Sequence, residues 1–403
     1  MEITPGAAGS RSPLLIIFLV VFVDLVGFGI VIPILPYYAK TYGASATALG
    51  WLMTSYSAMQ FFFAPVWGRL SDRHGRRPIL VSTILGQAAS MMLLGFAPSL
   101  AWLFIGRTLA GVCGANISTA TAYIADVTSE AQRARGMGLI GAAFGLGFIF
   151  GPAIGGVLSR WGYDIPMFAA AGLAFANALF AFFRLPEPPL SPEVRARHRS
   201  RRFDREALRE SLGDTRTRGA ILLFGLLTLA GTQMEVVFAL FIQARHGYDA
   251  QHAGWLLALM GTVMVLVQGG LIGPLSRRFG EVRLVTLGGA CMSMALLTMG
   301  ESRHLGPLIA ALVVLALGMG MSSPSLSSLA SRGARPERRG ATMGIYQSAG
   351  SLARVVGPPI AGWTYDALGT QVPFLFAAAL ALLATLGALA WRAGADTAAL
   401  GAA

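Results

Sequence analysis

The sequence predicts an all-α integral membrane protein with twelve transmembrane helices, arranged as two pseudo-symmetric six-helix bundles. Three observations predict it. The 403 residues are 55% hydrophobic and 12% charged, with a mean hydropathy of +0.62; a soluble domain carries about twice that charged fraction. Apolar runs recur at the ~20 residues that a spanning helix needs. The second half of the chain repeats the first.

Twelve segments qualify as spans: 14–37, 48–70, 79–97, 100–125, 136–159, 165–184, 218–243, 253–275, 282–301, 305–330, 341–363 and 371–392. Very short turns join the third to the fourth near Pro98 and the ninth to the tenth near Gly306-Pro307. The first run is too long for a signal-peptide core and lacks a following cleavage pattern, so it reads as a retained span. The fifty glycines suit helices packed closely in lipid. Cys113 and Cys291 lie inside apolar segments and read as packing residues, not as a disulfide or a metal site. No cofactor or metal is expected.

The net charge of +12 would suit a nucleic-acid binder, but its distribution points elsewhere. Arginines fill alternate loops: Arg69, Arg73, Arg76 and Arg77; Arg133 and Arg135; 184–218; Arg277, Arg278 and Arg283; Arg332, Arg335, Arg338 and Arg339. The opposite loops hold Lys40, Arg160, Arg245 and Arg303. The arginine-rich set is therefore expected on the cytoplasmic side, with both termini. The expected partner on this ground is a lipid bilayer, with no nucleic acid. The predicted domains are a first bundle over 1–184, a cytoplasmic linker over 185–217 and a second bundle over 218–403. In the linker, Pro186, Pro188, Pro189 and Pro192 forbid a continuing helix. The arginine-rich 195–202 and the Asp204–Arg209 pattern then suggest a tether with a short amphipathic helix, drawn to anionic lipid.

The repeat shows in several pairs: Gly50-Trp51-Leu52 with Gly254-Trp255-Leu256, Gly151-Pro152 with Gly357-Pro358, and Tyr163-Asp164 with Tyr365-Asp366. The offset stays near 202–206. Two parallel repeats place a substrate site between them near the bilayer midplane. Between the second and third runs lies the densest charge cluster, Gly68-Arg69-Leu70-Ser71-Asp72-Arg73-His74-Gly75-Arg76-Arg77, echoed by Gly273-Pro274-Leu275-Ser276-Arg277-Arg278-Phe279-Gly280.

That cluster resembles the loop between spans 2 and 3 of the major facilitator superfamily. Three further segments extend the resemblance over the whole chain. Asp24 to Pro36 is similar to the first span of twelve-span drug/proton antiporters. Arg107-Thr-Leu-Ala-Gly111-Val-Cys-Gly114 resembles the family's intramembrane Arg-x-x-x-Gly-x-x-Gly motif. Gly147, Gly151, Pro152, Gly155 and Gly156 match the Gly-Pro-x-x-Gly-Gly antiporter motif of exporters. The resemblance is nearest to tetracycline and multidrug exporters. It implies the major facilitator fold in the inner membrane, as a monomer, and proton-coupled export of small amphipathic drugs, so that protons and a small-molecule substrate are the expected partners, with no enzyme activity. A proton-coupled importer of a sugar or carboxylate is the alternative; the span 5 motif and the expected lack of a Lys/Arg cluster in the cavity argue against it.

The glycines of the span 5 motif, about one per turn, are expected to leave a smooth groove against the facing half, with Pro152 permitting a bend. In the loop motif, Gly68, Asp72, Gly75, Arg76, Arg77 and Asp126 are expected to form a cytoplasmic latch. Asp72 would face the start of span 11, where the helix dipole is positive, and Arg76 or Arg77 would pair with Asp126. Since Arg277 replaces the acid in the second copy, the latch is expected to be one-sided.

Charges inside the spans are Asp24, Arg107, Glu235 and Arg354. Each is costly unless paired or hydrated, so each is a functional candidate. At ~1.5 Å per residue, Asp24 lies about 15 Å deep and Arg107 about 11 Å from the opposite face, nearly level in a ~30 Å core. Burial favours a neutral acid and a neighbouring guanidinium a charged one, so Asp24 reads either as a proton carrier or as a structural partner of Arg107. Glu235 reads as a proton entry point or a grip on a cationic substrate, or else as a partner of Arg354 or an outer-rim residue. Tyr56, Gln60, Asn116, Tyr123, Gln233, Phe238, Gln268 and Gln347 are the candidate cavity lining.

Overall fold

A computed structural model describes residues 13–128, 130–188, 205–335 and 338–400. Among these there is no strand. The helices follow the apolar runs, because in lipid a backbone must satisfy its hydrogen bonds within its own segment. In chain order they are α1 (Pro13–Thr41), α2 (Ala46–His74), α3 (Arg76–Gly95), α4 (Leu100–Cys113), α5 (Ile117–Val127), α6 (Glu130–Leu158), α7 (Asp164–Arg184), α8 (Arg205–Gly213), α9 (Thr215–His246), α10 (Ala250–Leu266), α11 (Ile272–Phe279), α12 (Glu281–Glu301), α13 (Leu305–Gly333), α14 (Arg339–Leu368) and α15 (Val372–Leu400). A 3₁₀ turn, Gly114–Asn116, joins α4 to α5, and a π turn, Val267–Leu271, joins α10 to α11.

Ten of the resulting rods are long and apolar enough to cross a membrane, α4–α5 and α10–α11 each counting as one. The two long helices outside that set are α2 and α14. They are as long as the rest but carry Thr54, Gln60 and Arg69, and Gln347, Ser351 and Arg354, respectively. They also lie side by side, so much of their polarity faces protein.

The repeat is written into the backbone. Among the described residues, six glycines have a left-handed φ, a region that a side chain makes costly. They form three pairs: Gly43 (74°) with Gly247 (69°), Gly75 (102°) with Gly280 (78°), and Gly162 (137°) with Gly369 (115°). Each pair ends or opens equivalent helices. Helix contacts repeat as well. The pairs α1·α6, α1·α7, α3·α7 and α3·α4 recur as α9·α14, α9·α15, α12·α15 and α12·α13. Two large contacts, α2·α14 and α6·α10, join the two sets.

Both joining contacts are made where a Cβ cannot fit. Gly50 sits on the Pro358 carbonyl, Gly362 on the Ala46 carbonyl, and Gly254 on the Pro152 carbonyl. A Cβ on Gly261 would lie 2.7 Å from the Phe148 carbonyl oxygen. Hydrogen bonds reinforce this end. Asp366 accepts from the Ala46 and Thr47 amides at 3.1 and 2.8 Å and from the Thr47 hydroxyl at 2.7 Å. The Thr54 hydroxyl donates to the Val355 carbonyl at 2.8 Å, Tyr37 to the Tyr248 carbonyl at 3.1 Å, and Lys40 to Gln243 at 2.8 Å.

A helix occupies Arg205–Gly213, where the 204–209 pattern predicts one. Its acids grip the start of α14: Glu210 pairs with Arg335 at 2.6 Å and Arg338 at 2.9 Å, and Glu206 with Arg338 at 2.8 Å. The arginine-rich 195–202, with Pro189 and Pro192, lies outside the described residues.

Candidate functional site

The polar centre is built from Arg107 outward. Gly111 and Gly114, one and two turns beyond it, let α2 come close: Gly111 abuts the Tyr56 backbone, and a Cβ on Gly114 would lie 2.6 Å from the Tyr56 hydroxyl. The Tyr56 ring is thereby held under Arg107, whose guanidinium carbon sits 4.2 Å from the ring centroid. Phe28 backs the same ring at 5.4 Å. Gln60 donates to the Gly114 carbonyl at 3.0 Å and ties the 3₁₀ turn to α2. The glycines of the Arg-x-x-x-Gly-x-x-Gly pattern thus seat the aromatic ring on which the arginine rests.

Arg107 is 4% exposed and its Nε has no hydrogen-bond partner. A cation over a desolvated ring gains about 2 kcal/mol, less than burying an isolated charge costs. The rest of the compensation lies across a cavity of about 90 Å³. Phe28, Tyr56, Gln60 and Arg107 line it from one side, and Thr232, Glu235, Arg354 and Pro358 from the other. Three of the four intramembrane charges therefore share one space. A drug-sized site needs ~300–1,000 Å³, so this is a small pit between packed helices, with Val31, Ile32, Leu35, Met53 and Val236 completing an apolar wall around the charges.

Asp24 stands apart from the pit. It faces the break between α4 and α5, where Asn116 donates to its Oδ2 at 3.3 Å, and its Oδ1 is unpartnered. Of the two readings of Asp24, the pairing with Arg107 is not formed: its partner is Asn116. The 3₁₀ turn gives Asp24 an amide donor, while Tyr56 takes the guanidinium. Glu235 and Arg354 line the same cavity without a direct ion pair.

Of the expected cavity residues, Tyr56 and Gln60 line the pit, and Asn116 lies outside that lining, bonded to Asp24. Gln233 is fully buried and donates to the Gly357 carbonyl at 3.1 Å. Tyr123 is buried and donates to the Pro186 carbonyl at 2.9 Å, near the charged loop. Phe238 is core. Gln268, on the π turn, and Gln347 are exposed. The expected lack of an arginine cluster is corrected: Arg107 and Arg354 meet in one cavity, because the repeat faces α4 and α14 across the same centre.

The span 5 motif has two faces. Gly147, Gly151 and Gly155, four residues apart, lie on one stripe against α1, where a Cβ on Gly151 would be 2.5 Å from the Gly29 Cα. Gly156 instead meets Gly254, with a Cβ 3.1 Å from its Cα. The groove expected against the other half is therefore made by Gly156 with the Pro152 and Phe148 carbonyls, and the other three glycines pack within their own half. A helix turns 100° per residue, which separates the two faces.

In the charged loop, Arg76 is 1% exposed and holds three partners: Asp72 at 2.5 Å, Asp126 at 2.8 Å and Ser71 at 2.7 Å. The Ser71 hydroxyl donates back to the Gly68 carbonyl at 2.8 Å. Arg77 lies over the Phe182 ring and donates to the Phe182 carbonyl. Asp72 faces Arg76, not the start of α14. Glu187, absent from the sequence expectations, accepts from the Arg76 and Arg77 amides at 2.6 and 2.9 Å. An acid three residues past the end of α7, between two prolines, was the available signal.

These features define a class first: a multi-pass membrane protein whose polar centre is shared by two repeated sets of helices. The sequence model of the Major Facilitator Superfamily matches residues 17–356 and 270–400, and the chain belongs to that family. It is a transporter, not an enzyme. It is 32% identical over 362 residues to "Tetracycline resistance protein, class C" of Escherichia coli, covering 89% of this chain and 91% of that one. It is 28% identical over 380 residues to "Multidrug resistance protein 2" of Bacillus subtilis (strain 168), covering 92% of this chain and 93% of that one. Among solved structures, a bacterial homologue of the human lysosomal transporter Spinster, inward-facing and unoccupied, matches with a TM-score of 0.79 at 16% identity, over 95% of this chain and 97% of that one.

Proposed function

We propose that the chain is a proton-coupled exporter of small amphipathic compounds, of tetracycline or multidrug type, working by alternating access in the inner membrane. The observation that carries the reading is the pit, where Arg107 from one half meets Glu235 and Arg354 from the other. Twelve spans in two six-helix bundles, with both termini cytoplasmic, give it the architecture, and the names of the relatives give the substrate class. Separation of the bundles enlarges the pit into a substrate chamber. Asp24 and Glu235 are the acids that take up and release the proton. Because Asp24 holds one amide donor while Glu235 faces two guanidiniums, the two occupy different electrostatic settings. Asp72, Arg76, Arg77 and Asp126 gate the cytoplasmic mouth, and Gly156 against Gly254 is a surface on which the bundles rock.

The test is efflux of a panel of fluorescent compounds and antibiotics from an exporter-deficient bacterium, with and without an uncoupler. Wild type is expected to extrude at least one compound, and Asp24→Asn or Glu235→Gln to abolish gradient-driven efflux at equal expression. No efflux of any compound, with uptake of a metabolite, overturns the reading. The paired arginines favour one second reading, a substrate bearing a carboxylate, which the same panel separates by including acidic compounds.

A further inference from the structure

One face of α5 is polar where its surroundings are not. Asn116 opens the helix, and Thr119, Tyr123 and Asp126 follow at steps of three, four and three residues, which places all four on one stripe. Asn116 is 3% exposed, Thr119 and Tyr123 are 0%, and Asp126 is 12%. The stripe therefore runs inside the first half, not along its lipid face. Its neighbours on α5, Ala120 and Ile124, pack with Val20, Val21 and Leu25 of α1 in an apolar cluster that also takes the Tyr123 ring.

The two ends of the stripe are two charged sites of the first half. At one end Asn116 donates to Asp24 Oδ2 at 3.3 Å, and Asp24 Oδ1 has no partner. At the charged-loop end Asp126 accepts from Arg76 Nε at 2.8 Å and keeps some contact with solvent. Between them stand two hydroxyls. The Tyr123 hydroxyl donates to the Pro186 carbonyl at 2.9 Å. The Thr119 hydroxyl is buried with no hydrogen-bond partner among the described residues. So is Oδ1 of Asn177 on α7, whose amide donates at 2.9 Å to the Val20 carbonyl, one turn before Asp24. Burying such an oxygen without a partner is costly, and a valine would fill the place of Thr119 without that cost.

The repeat supplies the comparison. Moved on by 206 residues, Asn116, Thr119 and Tyr123 fall on Ser322, Ser325 and Leu329; moved on by 204, Asp24 falls on Thr228. The half with no acid at this place interrupts its stripe with Leu329. Its Ser325 closes a hydrogen bond on its own helix, at the Met321 carbonyl. The continuous buried stripe accompanies the acid.

Its spacing suits proton transfer. Turn neighbours on a helix lie about 5–6 Å apart, the reach of one water bonded to two oxygens at ~2.8 Å each. A hydroxyl takes a proton on its oxygen and passes its own hydrogen to the next acceptor, so every step conserves protons and one charge moves from end to end. The Asn116 amide carries no proton. It holds Asp24 Oδ2 and leaves Oδ1 as the atom that gains and loses one.

We propose that this face of α5 is the path by which a proton passes between Asp24 Oδ1 and the Asp126 end of the first half, with the Thr119 and Tyr123 hydroxyls and bridging water as its steps. None of these residues lines the pit, so proton and substrate take separate routes on that side. The path rests on the proton-coupled reading above and on no particular substrate.

The test uses full-length protein in proteoliposomes that hold pyranine, with tetracycline as the probe, or the compound that the efflux panel selects. Two rates are compared: proton movement coupled to the probe under a pH gradient, and exchange of labelled for unlabelled probe with no gradient. Thr119→Val is expected to lower the ratio of the first to the second about tenfold, less than the ~10²–10⁴-fold that a positioned proton-transfer group contributes, since water replaces part of one hydroxyl. Thr119→Ser is expected to restore it to within about twofold, because serine carries the same hydroxyl. Tyr123→Phe is expected to lower it as well; it also loses the bond to the Pro186 carbonyl, so where it melts early Thr119→Val decides. Thr121→Val is the control, on the same helix but off the stripe, with its hydroxyl bonded to the Ser118 carbonyl at 2.8 Å; its ratio is expected to match wild type. A structural role alone predicts that Thr119→Val melts no lower than wild type and keeps its ratio. A folded Thr119→Val with the wild-type ratio, or an equal fall in Thr121→Val, overturns the path while the proton-coupled reading stands. Wild type that exchanges the probe and moves no proton with it overturns both.

Discussion

The two ends of the molecule are held by different physics. At the end where α2 begins and α14 finishes, the halves touch backbone to backbone through Gly50, Gly254, Gly261 and Gly362. At the other end the contacts are ionic and stay within each half: Arg76 with Asp72 and Asp126, and Glu281 with Arg332. Glycine contacts are short-ranged and demand shape; ionic contacts tolerate a change of distance and can exchange partners. A seal of the first kind is rigid once formed, whereas an end of the second kind can be re-sorted as it opens and closes. The difference suits the alternating access proposed above.

The largest effect should come from breaking the glycine seal. Gly254→Leu would drive a side chain into the Pro152 carbonyl and Gly156, both backbone, which cannot yield as a side chain can. Overpacking of this kind costs about 1–3 kcal/mol or more. Lower thermal stability in detergent is expected, with increased reactivity of a cysteine placed at Thr47. Gly141→Ala is the control: nothing lies within 4 Å of its would-be Cβ, so stability should hold or rise slightly.

The ionic end should give a smaller but still large effect through Arg76→Gln. Removing the buried cation strands Asp126 and Asp72 together. Breaking a fully buried pair costs about 3–5 kcal/mol, but these acids stay in reach of water, so a loss of about 1–2 kcal/mol is expected. Arg77→Gln, whose guanidinium lies over Phe182 at the surface, should cost about 1 kcal/mol or less. Chemical or thermal unfolding of the two variants side by side checks the ordering, and equal losses would remove the distinction between a latch centre and a surface charge.

Much of this contrast was legible in the sequence. The apolar runs located the rods, since hydropathy is set residue by residue, and the loop motif located Arg76 and Asp126. The partners inside the membrane were not legible. Depth along a helix put Asp24 and Arg107 level but gave no rotation about the axis, and the 3₁₀ turn at Gly114–Asn116 then gave Asp24 to Asn116. The same missing rotation hid the fact that Gly147, Gly151 and Gly155 face α1 while Gly156 faces α10. Glu187 and Asp366 escaped because each caps a helix distant in sequence, and capping between distant segments leaves no local pattern.

The smallest effect sharpens the comparison by testing a carboxylate that helps hold the glycine-sealed end. Asp366 belongs to α14 yet caps the start of α2, accepting from two amides and a hydroxyl. Its partial burial would by itself raise its pKa, but hydrogen bonds from the Thr47 hydroxyl and amide and the Ala46 amide outweigh that and hold it below the ordinary carboxylate value. A pKa lower in the native state than in the unfolded chain means that the carboxylate stabilises the fold above about pH 4, the unfolded value. The contribution is lost as pH falls through the lower native value. The group is exposed, so the contribution is expected to be about 1 kcal/mol at most. Asp366→Asn should therefore melt slightly below wild type at pH 6, and the gap should close as the pH is lowered towards 3. A gap that persists at pH 3 would assign the loss to the shape of the cap, and the sealed end would then owe nothing measurable to charge.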